Sequence, residues 1–427
     1  MHKKWLIVTL LVSSIAVHFA FFGHPDQVVF DEVHFGKFAS AYYTHQYYFD
    51  IHPPLGKLLI AGFGKLFNFQ PEYSFANIGQ AFPDQTYLAL RFLPTLAGTL
   101  LPIIIFLLAL ELGLRRWAAF LAAMLVVLDN ALLTQSRYML LDMFLLSFGF
   151  AALLFYFRYW NKKGIQNLLW MGIFAGLSAS IKWTGLAFLG LPGIIELIAY
   201  IKLRIFFQRI PRLLLYFVAI PFAIYFSIFL VHFSLLTKPG DGDAFMTPNF
   251  QSHNVWQKFT ELNTRMYTAN NTLTATHPYS SKWYTWPLVV RPIYYWNGAN
   301  TEKIYLLGNP MVWWGSTVAV LYLLLSLFGR NFFKNKTGLI LLGGYLINFL
   351  PFIGIGRVMF LYHYFAGLIF AILMFAYCLD KMPRPRNAII AILSAAAILF
   401  IFFAPLSYGL PLNSKAFSNR MWLNSWR

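Results

Sequence analysis

Of the chain's 427 residues, 59% are hydrophobic, 19% aromatic and only 11% charged, a balance that excludes an ordinary soluble domain and marks an integral membrane protein. The formal net charge of +18 does not indicate nucleic acid, because the bases fall in short clusters at the ends of apolar runs, as in cytoplasmic loops. Cys378 is the only cysteine and lies in an apolar run, which excludes a disulfide framework and a thiolate metal site.

The first predicted span, Trp5–Phe22, follows basic residues as a signal peptide would. It ends in Val-His18-Phe-Ala-Phe-Phe without a small-residue cleavage pattern, so an uncleaved anchor is expected. A few residues later Asp31 and Glu32 stand side by side, framed by Val28, Val29, Phe30, Val33 and Phe35. A carboxylate half withdrawn from water has its proton affinity set by its surroundings, which is how a general base is made. The competing reading is a solvated loop carrying two charges. Further on, Asp50-Ile-His52-Pro53-Pro54 holds the backbone extended through its prolines and places His52 rigidly enough to donate to a phosphate. A simple turn explains the same residues.

Apolar runs of spanning length recur at 5–22, 87–112, 117–129, 138–160, 165–181, 183–201, 213–234, 307–329, 338–353, 358–379 and 387–405. The runs 117–129 and 165–181 are short and suit a re-entrant or tilted segment. Lys and Arg collect at alternate ends: Lys3/Lys4, Arg115/Arg116, Lys162/Lys163, Lys202/Arg204/Arg209/Arg212, Arg330/Lys334/Lys336 and Lys381/Arg384/Arg386. The expected fold is an all-α integral membrane protein, one polytopic domain over 1–427 with about eleven transmembrane helices, a cytoplasmic N-terminus and the tail 406–427 outside. Two long outer segments result, 23–86 and 235–306. Their stretches 34–49 and 254–268 space aromatic and polar residues as interfacial helices do. The inner loops are too short for a nucleotide-binding domain and no Gly-rich phosphate loop precedes a helix, so an activated group must arrive on a lipid at the outer face.

An ionisable residue at the centre of a helix in lipid costs about 2.5–3.5 kcal/mol and therefore has a partner or a task. Arg91 opens the second span, Arg137 and Asp142 flank the start of the fourth, Lys182 ends one span, and Arg357 and His363 bracket the last outer turn. All fall on the side of Asp31. Cations beside carboxylates suit an anionic headgroup such as a phosphate, with Arg as a bidentate contact and Lys as a point charge; snorkelling to lipid headgroups is the bland alternative for any one of them. Trp183, Trp283 and Trp286 lie where the chain meets the membrane surface. Belt anchoring and contact with a sugar or a passing polypeptide explain them equally. A divalent cation on Asp31, Glu32 and Asp142 stays open, since no ligand spacing compels one.

Phe-Asp31-Glu32-Val-His-Phe-Gly-Lys-Phe, Asp-Ile-His52-Pro-Pro-Leu-Gly-Lys, Leu-Asp-Asn-Ala-Leu-Leu-Thr-Gln-Ser-Arg137-Tyr, Ile-Lys182-Trp-Thr-Gly, Trp-Pro-Leu-Val-Val-Arg-Pro and Tyr-His363-Tyr-Phe together resemble the protein O-mannosyltransferase family, in order from the first span to the last. The resemblance implies the GT-C membrane fold and transfer of mannose from a polyprenyl-phosphate-mannose donor to Ser or Thr hydroxyls of exported polypeptides. It maps the family's Asp-Glu pair onto Asp31 and Glu32, and its functional Arg onto Arg91. Segment 235–306 is too short for the β-trefoil MIR domain of eukaryotic members, which points to a prokaryotic-type member in the cell membrane; a eukaryotic member would sit in the endoplasmic reticulum membrane. The protein-export machinery is a further partner suggested by the acceptor.

On this reading Asp31 takes the hydroxyl proton in a single inverting displacement, with Glu32 supporting it. Arg91, His52, Lys182 and Arg357, joined by Arg137 and His363, hold the departing lipid phosphate, while Asp142, Trp183, Trp283 and Trp286 support the acceptor. Two alternatives remain: a related GT-C transferase with a lipid or glycan acceptor, and an anion or sugar-phosphate transporter. Ionisable residues gathered on one face, without paired broken helices in two matching halves, argue against the transporter.

Overall fold

The computed structural model describes residues 3–272, 276–329, 334–383 and 385–427; Arg330 and Arg384, two of the bases assigned to inner loops, lie outside the described residues. The chain starts with α1 (Lys3–Phe19), followed by two helices of the segment 23–86, α2 (Glu32–Thr44) and α3 (Leu55–Leu66). The central bundle is built from α4 (Tyr87–Glu111), α5 (Arg116–Val127), α6 (Asn130–Ser136), α7 (Asp142–Trp160), α8 (Gln166–Ala179) and α9 (Ala187–Lys202). α10 (Phe206–Leu213) continues through a π-helical stretch into α11 (Ile220–Leu235). The segment 235–306 holds α12 (Val255–Thr272) and the antiparallel strands β1 (Ile293–Asn297) and β2 (Lys303–Leu306). α13 (Pro310–Ser326), α14 (Lys336–Phe349), α15 (Phe365–Asp380), α16 (Pro385–Tyr408) and the short α17 (Ser414–Ser418) complete it.

Among the described residues, seven helical stretches are long and apolar enough to cross a membrane, or eight if the bent pair α5–α6 is one span. Each of the other apolar runs also contains a helix, but α1, α8 and α13 have 17, 14 and 17 residues. At about 1.5 Å per residue these fall short of a hydrocarbon core of about 30 Å. The bend of 59° between α5 and α6 occurs in the run 117–129 that was short in sequence. Its cause is local: Asp129 leaves the helical conformation and caps α6, accepting from Leu132 N at 2.9 Å. The other oxygen of this fully buried carboxylate accepts from Trp313 Nε1 at 2.7 Å and Asn309 N at 3.1 Å, tying the bend to α13. Asp129→Ala is therefore expected to strand three buried donors at about 1–3 kcal/mol each, seen as a large fall in Tm in detergent. Close packing at the same place needs Gly98, where an added Cβ would come within 2.5 Å of Ser136 on α6.

The all-α expectation needs one correction. Ile-Tyr-Tyr-Trp, rich in β-formers, pairs with Lys303–Leu306 as a hairpin with an irregular register between Tyr294 and Trp296. Both stretches expected to hold helices do so, as α2 and α12. α12 buries Phe259, Leu262 and Met266 and exposes Trp256 and Tyr267. The long segments interlock: Tyr47 N donates to Lys238 O at 2.9 Å, Arg291 reaches Ser425 O at 2.9 Å, and Trp426 Nε1 donates to Val289 O at 2.6 Å. This layer sits over one end of the bundle and carries Asp31, Glu32, Asp50, His52 and Lys57.

Candidate active site

Asp31 occupies the N-cap of α2 but makes no capping hydrogen bond. That is unusual, since an Asp cap oxygen normally takes an orphan helix N–H. Glu32 bonds backwards instead, accepting from Val29 N at 2.8 Å. Phe30, just before Asp31, is held at φ 48°, a conformation that L side chains rarely adopt. It is pinned there by stacking on Tyr295 of β1, with centroids 4.0 Å apart, and by its own N–H donating to Tyr295 O at 3.2 Å. The Asp31 carboxylate has no hydrogen-bond or ion-pair partner among the described residues. Burial pushes its pKa up to about 7, opposed by the charge of Lys182 and reinforced by Asp142 and Asp50.

Glu32 and Arg91 stand quite differently. Both side chains are fully buried and 2.7 Å apart. Glu32 accepts from Arg91 Nε at 2.8 Å, Arg91 Nη2 at 2.7 Å, Met139 N at 3.0 Å and Val29 N at 2.8 Å, which fills its acceptor sites. The remaining donors of Arg91 go to the carbonyls of Gly23, Pro25 and Gln27, each at 2.7 Å. All five guanidinium N–H groups are thus committed within the protein, where Arg91 pins the segment 23–32 and has no donor left over for the expected headgroup contact. Arg137 also turns into the protein, although its buried Nε has no hydrogen-bond partner among the described residues. It donates to the carbonyls of His18 at 3.2 Å, Ala20 at 2.6 Å and Phe21 at 2.5 Å, closing the end of α1 beneath the ring of Tyr408.

The other expected residues converge. A cavity of about 710 Å³ has His52, Asp142, Lys182, Arg357, Tyr362 and His363 at its polar part, and Leu145, Leu186, Phe188, Ile347, Ile355 and Phe365 among its apolar walls. Asp31 is not in the wall but stands beside it, near enough for Lys182, Asp142 and Asp50 to act on its charge. Lys182 Nζ donates to Asp142 Oδ1 at 2.7 Å and lies 5.2 Å from the centre of the Tyr362 ring. His363 Nδ1 lies against the backbone N and O of Phe360 at 3.2 and 3.0 Å, which leaves Nε2 for a ligand. His52 is held well below the ordinary imidazole pKa, first by burial and then by the charges of Lys182, Lys57 and Arg357, so it offers a neutral N–H at pH 7.

Of the tryptophans, only Trp183 lines the cavity, with Nε1 donating to Tyr225 OH at 2.9 Å. Trp286 is fully buried behind His363, stacked at 6.0 Å, and Trp283 packs on Phe349 at 5.2 Å. Neither lines the cavity. Among the described residues, no group of three His, Cys, Asp or Glu side chains could hold a metal ion, and Glu32 has no oxygen to spare.

Several contributors were not singled out in the sequence. Lys57, almost fully buried, pairs with Asp50 and donates to His52 O at 2.7 Å, fixing the His52 loop. Its signal was a lysine placed one turn after paired prolines. Asn270 of α12 lines the cavity and donates to Ile51 O at 3.1 Å, joining the segments 23–86 and 235–306 beside it.

The fold superimposes on the Saccharomyces cerevisiae protein O-mannosyltransferase Pmt1–Pmt2 complex bound to the sugar donor, with TM-score 0.94 at 22% identity over 100% of this chain and 93% of that one. It is also similar to ArnT from Cupriavidus metallidurans bound to undecaprenyl phosphate, with TM-score 0.58 at 13% identity over 96% and 77%. The fold is therefore that of the GT-C membrane glycosyltransferases. Residues 8–237 match the family model dolichyl-phosphate-mannose-protein mannosyltransferase, and 255–426 match the C-terminal four-TMM region of protein-O-mannosyltransferase. The chain belongs to the protein O-mannosyltransferase family, which sets the transporter alternative aside. It is 36% identical over 264 residues to S. cerevisiae dolichyl-phosphate-mannose–protein mannosyltransferase 1, covering 58% of this chain and 32% of that protein. The chain thus spans about a third of the length of that curated relative.

Proposed function

We propose that the protein moves mannose from a polyprenyl-phosphate-mannose donor to Ser or Thr hydroxyls of polypeptides emerging on the outer face of the membrane. One observation carries this reading: a hydrogen-bond-free, proton-avid Asp31 stands beside a cavity that joins cations to an apolar wall. Lys182, Arg357, His52 and His363 would hold the phosphate, and the apolar residues would take the first isoprenoid units. Asp31 would accept the hydroxyl proton as oxygen attacks the anomeric carbon. The carbon–phosphate-oxygen bond breaks in the same displacement, and the lipid phosphate leaves as an anion held by the cations. No general acid is required, because phosphate is already a good leaving group.

The topology that suits this chemistry has eleven spans, with the short α1, α8 and α13 counted and α5–α6 taken as one broken span. It places the N-terminus inside, the tail outside, and 23–86 and 235–306 together on the catalytic face. The alternation of basic clusters supports it. A chain lacking room for a MIR domain in 235–306 fits the cell membrane of a prokaryote, with exported proteins as acceptors.

The test uses the purified protein in lipid nanodiscs, labelled polyprenyl-phosphate-mannose and a Ser/Thr-rich peptide. Mannosyl peptide should form, and Lys182→Gln or Arg357→Gln should each raise the donor KM by about tenfold, the worth of one charge-assisted hydrogen bond. Transfer of the sugar to lipid with the peptide untouched would contradict the acceptor assignment.

A further inference from the structure

Gln135, buried in the last turn of α6, takes no direct part in the proposed chemistry, yet its amide links Tyr295 of segment 235–306 to the carboxylate that holds the cation at the cavity. Tyr295 of β1 donates its hydroxyl proton to Gln135 Oε1; Gln135 Nε2 donates to Asp142 Oδ2 at 2.7 Å; and Lys182 Nζ donates to Asp142 Oδ1 at 2.7 Å. Tyr295, Gln135 and Asp142 are all buried, and Lys182 is mostly so. We propose that Gln135, clamped by Tyr295, is a positioning residue that fixes Asp142 so that the Lys182 ammonium is presented to the donor phosphate; the inference rests on the function proposed above.

The polarity of the chain leaves no freedom. An ionised carboxylate only accepts, so the Gln135 amide must turn its NH2 to Asp142 and its oxygen to the tyrosine. Tyr295 in turn cannot slide away, because it is stacked on Phe30 and its carbonyl holds Phe30 N–H. With Oδ2 occupied, Asp142 engages Lys182 through one oxygen, and no other acceptor among the described residues takes the two remaining N–H groups of that ammonium. Without the amide, both oxygens of Asp142 would turn to Lys182, drawing it toward the protein and cancelling more of its charge. A hydrogen bond to a buried carboxylate two steps from the ligand thereby controls how much positive charge the cavity offers.

The experiment compares donor saturation for the nanodisc-held protein with Gln135→Met, Tyr295→Phe, Lys182→Gln and the double variant Gln135→Met/Lys182→Gln, using labelled polyprenyl-phosphate-mannose. Gln135→Met is expected to raise the donor KM by about tenfold with a smaller change in kcat, and Tyr295→Phe to act in the same direction to a lesser degree. In the Lys182→Gln background, Gln135→Met should add less than about twofold, because the group it positions is gone. Equal effects in both backgrounds, or a lowered Tm with an unchanged KM, would overturn the positioning role while leaving the proposed function intact. An unchanged KM for Lys182→Gln alone would overturn the headgroup reading, and this inference with it. If Gln135→Met does not fold, Tyr295→Phe with and without Lys182→Gln decides by the same comparison.

Discussion

Asp31→Asn is expected to lower mannosyl transfer by about 10²–10⁴-fold, the usual worth of a positioned base, while donor binding persists. The expectation follows from the local structure. Asp31 has the position of a helix cap without the cap's hydrogen bond, and burial raises its pKa to about 7. The wild-type rate should therefore climb as pH rises through about 7, where Asp31 loses its proton, and that limb should vanish in Asp31→Asn. Stability should move the opposite way. The folded protein holds this proton more tightly than the unfolded chain, whose carboxyl titrates near 3.8, so the stability linked to it is complete below that value and lost as pH rises through about 7. Asp31→Asn should consequently melt at a higher temperature than wild type at pH 8, with the gap closing below pH 4. A wild-type transfer rate from folded Asp31→Asn protein would remove Asp31 as the base.

Arg91→Ala should damage folding before it damages catalysis. It strips a fully buried carboxylate of its counter-ion and leaves the carbonyls of Gly23, Pro25 and Gln27 without donors. Removing one partner of a buried pair costs about 3–5 kcal/mol, because the survivor stays charged in a low-dielectric site. Glu32→Gln in the same protein should recover part of the loss, since a neutral amide needs no counter-ion. Thermal denaturation of the single and double variants measures this. An Arg91→Ala protein with wild-type Tm and weakened donor binding would return Arg91 to the headgroup.

These two cases show where sequence reading succeeded and where it stopped. Composition and basic-end alternation locate the apolar helices, because hydrocarbon length and backbone satisfaction leave few options. The convergence of His52, Lys182, Arg357 and His363 was also legible, since ionisable residues at span ends need partners. Which cations stay available was not. Arg91 and Lys182 look alike as isolated charges in apolar runs, and only the fold reveals that one spends every donor inside the protein. The same limit separates Trp183, in the cavity wall, from Trp286, sealed behind His363. The β-forming character of Ile-Tyr-Tyr-Trp was visible, but strand pairing is set by partners farther along the chain, Ile293 with Leu306 and Asn297 with Lys303, and was masked by the aromatic character expected of a membrane surface.

The most direct test of the central claim is a cryo-EM map of the protein in a nanodisc with a bound, non-transferable polyprenyl-phosphate-mannose analogue. The account predicts the phosphate among Lys182, Arg357, His52 and His363, with the anomeric carbon turned toward Asp31 and Arg91 still locked on Glu32. A phosphate seated on Arg91, or a sugar facing the end of the bundle that carries Arg115 and Lys163, would contradict it.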